Sequence, residues 1–418
     1  MINEQVRYSR CISIITNILL WGYIMIQVCQ YFIRACLELI RNRGWGVTEF
    51  YINYQAGYVR RGLVGEIIYQ LTKSVPDIDP RWYIGGICLI SLIVVISFLI
   101  KNFRKKSLCW WVLPLSVCLM GAYDWIRKDF LCVLLIICIF SAYSKIQNAW
   151  LRYIVTMLLL GVGLNVHECI FFMCVPFLLW AALRDTNVKF YCRCLSILTP
   201  LVLMAVVCIF KGNRDMALGI WRSWGIVFPE FSVTSPSCSL AAIGWETSYA
   251  VKFHIEANFI TQSGIFYGWY SKPMSWCLIF YMIVNILYCR RDYLTNQTSL
   301  DVKFFISVFI FQFISLLPMF TVLSCDAGRV CFYWLVSTFC IYFTYDSSRG
   351  TDLWPTFYSS IVKKLQESIF SVRSVYVAVG LMLLFCISPN YTDAWNAFYS
   401  SVVGKYFYAL KKVVEVIC

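Results

Sequence analysis

The chain has 418 residues, of which 60% are hydrophobic, 18% aromatic and only 14% charged. Soluble domains carry about a quarter charged residues and a little under half apolar ones, so this balance excludes an ordinary soluble globule. The formal charge of +14 would point to nucleic acid in a soluble domain. In a membrane chain an excess of cytoplasmic Lys and Arg explains it, and nucleic acid is not an expected partner.

In chain order, the first apolar run covers 12–33. It is long and has no small-residue cleavage site after it, so it is expected to remain as a helix rather than leave as a signal peptide. Further runs lie near 83–100, 108–123, 130–145, 152–166, 169–183, 194–210, 274–289, 304–324, 329–345 and 374–388. Together they give about eleven segments approaching the roughly 20 residues a bilayer requires. The expected fold is all-α, a polytopic helical bundle forming one integral membrane domain. The runs on either side of His167 and Asp326 are short enough to be re-entrant or broken. The 21 cysteines are scattered without paired CxxC spacing, which speaks against a zinc site or a disulfide framework. They read as small apolar residues.

"KNFRKK" (101–106), Lys145 with Arg152, Arg184 to Arg193, "CRRD" (289–292) and Lys363, Lys364 and Arg373 all fall on the same side as Arg7 and Arg10. The positive-inside rule makes that side cytoplasmic. Two larger external loops remain, 41–82 and 211–273, with an external tail at 389–418. Within the first loop "GLVGEIIYQLTKSV" has apolar residues at helical spacing, before the turn "PDIDPRW", and reads as an interfacial helix. The tail "AWNAFYSSVVGKYFYALKKVVEVI" is similarly amphipathic.

Charged residues at the external ends are the informative ones. The stretch "NYQAGYVRRGLVGEIIYQL" places Arg60 and Arg61 outside, where the positive-inside rule does not account for them, with Glu49 and Glu66 in the same loop. "YDWIRKD" adds Asp124, Arg127, Lys128 and Asp129, and a wet polar turn would explain it as well as a site would. His167 with Glu168 in "GLNVHECIFF", and Asp326 with Arg329 in "SCDAGRVCF", interrupt almost continuous apolar sequence. Ionisable groups at that depth usually face a water-filled cavity or one another.

The residue types suit a phosphate or diphosphate beside an acid–base group. Arginine binds phosphate oxygens through a planar fork and keeps its charge when partly desolvated. Gly57, Gly62 and Gly65 would let the backbone approach a ligand closely. His167 or Glu168 is the candidate to take a proton from a sugar hydroxyl. The aromatic residues of "IWRSWG" and "GIFYGWY", in the second large loop, suit sugar stacking and an interfacial belt equally. The sequence has no P-loop, Rossmann fingerprint, HExxH or GxSxG, so a donor should carry its own activated leaving group. Neither a cofactor nor a metal is expected.

With this layout, and with "GYVRRGLVGE", "VHE" and "DAGR", the chain resembles the bacterial inner-membrane O-antigen polymerases and their capsule and exopolysaccharide counterparts. The resemblance implies an enzyme that joins undecaprenyl-diphosphate-linked oligosaccharide units at the periplasmic face, without metal or nucleotide. It implies that Arg60, Arg61, Arg127 and Arg329 hold the lipid diphosphates, while His167, Glu168 and Asp326 stand as the catalytic candidates. Expected partners are the lipid-linked oligosaccharide, membrane lipids and a polysaccharide chain-length regulator. The family often carries arginine-rich motifs in two large loops, whereas the second loop here holds only Arg214 and Arg222. Two other readings share the composition. A GT-C-type lipid-phosphate-sugar glycosyltransferase would use an acidic residue of the first external loop, here Glu49, often with a divalent metal. A non-enzymatic flippase would need its charges reachable from both leaflets rather than gathered at the outer ends.

Overall fold

The computed structural model describes residues 18, 29, 32–41, 44–105, 125–185, 188–225, 238–259, 299–324, 327–345 and 402–417. Among the described residues every regular element is helical and there is no strand, as the composition implies. Pro80–Asn102, Ala149–Val166 and Phe190–Ile209 are each long and apolar enough to cross a membrane. Cys169–Arg184, Ser307–Leu323 and Phe332–Thr344 are shorter apolar helices. The expected runs at 108–123, 274–289 and 374–388, almost all of 12–33, and the site candidate Asp326 lie outside the described residues.

One helix shows how apolar sequence is divided between the interior and the outside. Along Pro80–Lys105 the buried positions among those described are Pro80, Ile84, Cys88, Ser91, Val95 and Leu99, a single stripe at intervals of three and four. Ile90, Ile93 and Val94 on the other faces are exposed. A soluble helix would place charge there. Between membrane helices association rests on close packing, since lipid tails are as apolar as leucine.

The Asp129–Lys145 helix is central, packing along Pro80–Lys105, Ala149–Val166 and Ala327–Thr344. Ala149–Val166 also lies against Phe190–Ile209, and Ser299–Pro318 against both Ala327–Thr344 and Cys169–Arg184. Gln312, buried in that last seam, donates Nε2–H to the Met173 carbonyl at 3.1 Å, which satisfies an amide donor where water is absent. The run expected at 304–324 is an α-helix to Pro318 and then a π-helix over Met319–Leu323. Proline has no backbone N–H to donate, and α geometry ends at that residue.

From Asp129 to Ile209 successive helices alternate in direction, so their ends sort into two groups. The starts of Asp129–Lys145 and Cys169–Arg184 and the finish of Ala149–Val166 meet at one end, where Arg329, near the start of Ala327–Thr344, bonds to Asp129. The finish of Phe190–Ile209 joins them through the Arg60 N–H, which donates to the Phe210 carbonyl at 2.9 Å. The first loop and the helices Arg214–Ser223, Ser239–Ile243 and Thr247–Phe259 follow from that end. In Val402–Ile417 the residues Phe407, Leu410, Val413 and Val414 are exposed, an apolar face in keeping with the amphipathic pattern.

Candidate functional site

The first loop is folded by its glycines. A Cβ on Gly65 would lie 1.9 Å from the Ile52 carbonyl oxygen, and one on Gly62 would lie 2.2 Å from the Tyr54 ring. These glycines therefore let the Gly62–Ser74 helix press against the chain's own 50–54 segment. Close approach was expected for a ligand; the molecule uses it for packing at these two positions. Gly57, at φ 111, makes the turn that returns the chain toward the arginines. Trp224 of "IWRSWG" is also structural: its Nε1–H donates to the Tyr51 carbonyl at 2.8 Å and its ring meets Tyr51 and Tyr69 edge-on. "GIFYGWY" lies outside the described residues.

Arg61 is the one non-glycine with positive φ among the described residues, at φ 62 and ψ 6. Such a conformation costs about 1 kcal/mol or more and persists where neighbours over-determine it. Here Lys128 Nζ donates to the Arg61 carbonyl at 2.7 Å. The Arg61 side chain closes a fork onto Glu168, with Nε to Oε2 at 2.7 Å and Nη2 to Oε1. Its third nitrogen, Nη1, reaches Glu49 Oε1 at 3.4 Å. Arg60 makes a single longer contact, Nη1 to Glu168 Oε1 at 3.3 Å, and its side chain is 31% exposed against 18% for Arg61. Neither arginine pairs with Glu66, which instead accepts from the Tyr54 N–H and from the amides of Gln55 and Gln70.

Beneath this layer lies Glu49, with no solvent exposure. Its Oε1 is 3.4 Å from His167 Nε2, and its Oε2 is 3.8 Å from Arg329 Nη2 and accepts no hydrogen bond. His167 Nδ1 accepts the Cys169 N–H at 3.1 Å, so the proton of a neutral ring sits on Nε2 and faces Glu49. Arg329 grips Asp129 with Nε at 2.9 Å and Nη2 at 2.6 Å, and Tyr333 donates to the same carboxylate at 2.6 Å. Asp129 and Glu168 each stand at the start of a helix, where the backbone dipole favours a negative charge.

Four cations (Arg60, Arg61, Lys128, Arg329) thus face three carboxylates (Glu49, Glu168, Asp129) at a point where helix N-termini converge. Among the described residues of the cluster this leaves one positive charge in excess, which suits an anion. Burial would raise the Glu168 carboxyl, but Arg61 and Arg60 outweigh it and hold it well below the usual carboxylate range. His167 is held well below its ordinary value by burial first and then by Arg61, so it is neutral. Its Nδ1 holds the Cys169 N–H, and its Nε2 stands 3.4 Å from both Glu49 Oε1 and Arg329 Nη2.

Burial also lowers Lys128, from its ordinary 10.5 to about 8, against the pull of Glu49. Between those values the unfolded chain binds a proton that the fold does not, so stability rises with pH across the window and the cost is fully present below about 8. The gain is expected to approach about 3 kcal/mol at most. Thermal unfolding of detergent-solubilised protein between about pH 8 and 9.5 checks it. The Lys128→Met variant should lose most of the rise.

Of the residues singled out in the sequence, Arg60, Arg61, His167, Glu168 and Arg329 come together. Arg127 lies within electrostatic reach of Asp129, which Arg329 grips more closely, and its carbonyl faces the Cys88 thiol at 3.8 Å. "YDWIRKD" is therefore more than a wet turn, because Lys128 and Asp129 both point inward. Lys128 and Asp129, and Glu49 at the centre, were not among the site residues expected from sequence. Glu49 was considered there only as the acid of a GT-C enzyme. The signal for it was a lone carboxylate in the apolar run "WGVTEFYI". From the second loop, His254 on Thr247–Phe259 is lowered by burial and then by Arg61 and Arg60, which places that helix within electrostatic reach of the pair. No protein-family model, curated protein or solved structure matches the chain.

Proposed function

We propose that the chain is a multi-spanning glycosyltransferase of the bacterial inner membrane. In this reading it has about eleven spans, with the Arg60/Arg61 end on the periplasmic side. Its reaction joins undecaprenyl-diphosphate-linked oligosaccharide units. The observation that carries the reading is the gathering of Arg60, Arg61, Glu168, Glu49, His167 and Arg329 from distant parts of the sequence into one cluster, with Arg60 partly open to solvent. An acceptor sugar hydroxyl forms a bond to the anomeric carbon of the growing chain. The bond from that carbon to the lipid diphosphate breaks, and the diphosphate leaves with the electron pair.

Arg60, with its single 3.3 Å contact, is the group free to turn to the diphosphate. As the diphosphate draws Arg60 away, Glu168 loses part of the field that keeps its basicity low. It can then accept the proton of the acceptor hydroxyl, at the outer edge of the cluster. His167, neutral, holds the Cys169 N–H on Nδ1 and sets Nε2 between Glu49 and Arg329, so it is a positioning group rather than the one that moves that proton. Glu49 and Asp129 hold Arg61 and Arg329 in place.

A second reading, the GT-C-type transferase, is favoured by one observation: the buried first-loop carboxylate Glu49 has an oxygen with no hydrogen-bond donor. The two separate by donor. Purified protein in lipid nanodiscs, given an undecaprenyl-diphosphate-linked repeat unit, should form ladders of polymer and keep doing so in chelator. Ladders absent with that donor, together with transfer from a polyprenyl-monophosphate sugar that chelator abolishes, would move the assignment to the second reading.

A further inference from the structure

At the far end of the same helices lies a second polar site. The Ala149–Val166 helix runs from it to His167. Arg152 is 15 residues before His167 by the numbering, or about 22 Å at 1.5 Å per residue. There a small, partly open pocket is lined by Tyr143, Arg152, Thr156, Asp185 and Arg193, among others. Arg152 is 7% exposed, donates Nη2–H to Asp185 at 2.7 Å and lies over the Tyr143 ring, so its charge is matched. Arg193 is not matched: among the described residues its side chain has no carboxylate partner, and its buried Nε–H has no acceptor. The Thr156 hydroxyl, 1% exposed as a residue, also lacks a hydrogen-bond partner.

A buried guanidinium N–H and a buried hydroxyl left open beside one pocket are expensive unless something fills them. The pocket's net charge is one positive, and a guanidinium with a hydroxyl is a donor set that phosphate oxygens take. The same helix ends carry exposed Lys145, Arg184 and Lys189, which attract anions. They also expose Trp150, Leu151 and Phe190, an apolar surface that suits acyl chains. We propose that this pocket binds the phosphate of an anionic membrane-lipid headgroup, separately from the Arg60/Arg61 cluster.

The test is thermal unfolding of the full-length protein in detergent, titrated with phosphatidylglycerol, phosphatidylcholine or inorganic phosphate. Phosphatidylglycerol is expected to stabilise the wild type, with apparent affinity about tenfold weaker in Arg193→Gln. Thr156→Val, which keeps shape and charge, should weaken it severalfold, about the loss of one hydrogen bond. Zwitterionic phosphatidylcholine should have little effect. A response to inorganic phosphate that Arg193→Gln removes would keep the phosphate chemistry and assign the source to a soluble ester. Equal responses of the wild type and both variants to phosphatidylglycerol and to phosphate overturn the proposal.

Discussion

Arg61→Ala is expected to lose folded protein, with stability falling by about 3 kcal/mol, before any question of turnover arises. The side chain ties Glu168 through a two-pronged contact and touches Glu49 as well, while its own carbonyl is held by Lys128. Deleting it leaves two poorly solvated carboxylates short of their main counterion, and breaking a buried pair costs far more than the pair contributed. Lysine keeps the charge but offers no planar fork, so it can restore one of these contacts and not all three. Arg61→Lys should therefore fall between alanine and wild type. Membrane protein level and thermal unfolding in detergent measure this. Wild-type stability in Arg61→Ala would show that the arginine is not the clamp its contacts make it.

Arg60→Ala is expected to do the opposite, leaving level and melting temperature nearly unchanged while lowering polymer formation by about a hundredfold, or roughly 2.7 kcal/mol. A partly exposed arginine with one 3.3 Å ion pair contributes little to stability. A guanidinium that receives charge from a departing diphosphate contributes much to the rate. Arg60→Lys should recover part of the loss, since charge is kept and the fork is not. The two adjacent arginines of one motif thus separate into a binding group and a clamp. Polymer ladders normalised to protein level decide it. A stable Arg60→Ala variant with full-length ladders would remove this arginine from the reaction.

Much of the bundle was legible because long apolar runs leave few alternatives. The run at 152–166 is a helix over Ala149–Val166, and that at 169–183 is Cys169–Arg184. The site was half legible. A charge that interrupts apolar sequence is costly enough to need a partner, and that argument found His167, Glu168 and Arg329. It could not find the partners. Glu49 sits alone in its run, and its neighbours Arg61, His167 and Arg329 lie outside that run. Nor could sequence separate Arg60 from Arg61, because the difference lies in a left-handed backbone and in Glu168, more than a hundred residues away. Gly62 and Gly65 permit a close approach, but a sequence does not say whether a ligand or the chain's own backbone makes it.

The most direct test of the account is equilibrium binding of undecaprenyl diphosphate to the protein in nanodiscs, compared between wild type, Arg60→Ala and Arg193→Gln. Arg60→Ala should bind at least about tenfold more weakly, the loss of one charge-assisted phosphate contact. Arg193→Gln, altered at the opposite end of the bundle, should keep the Arg60-dependent part of the binding unchanged. Equal affinity in wild type and a folded Arg60→Ala variant would contradict the assignment of the Arg60/Arg61 cluster as the diphosphate site.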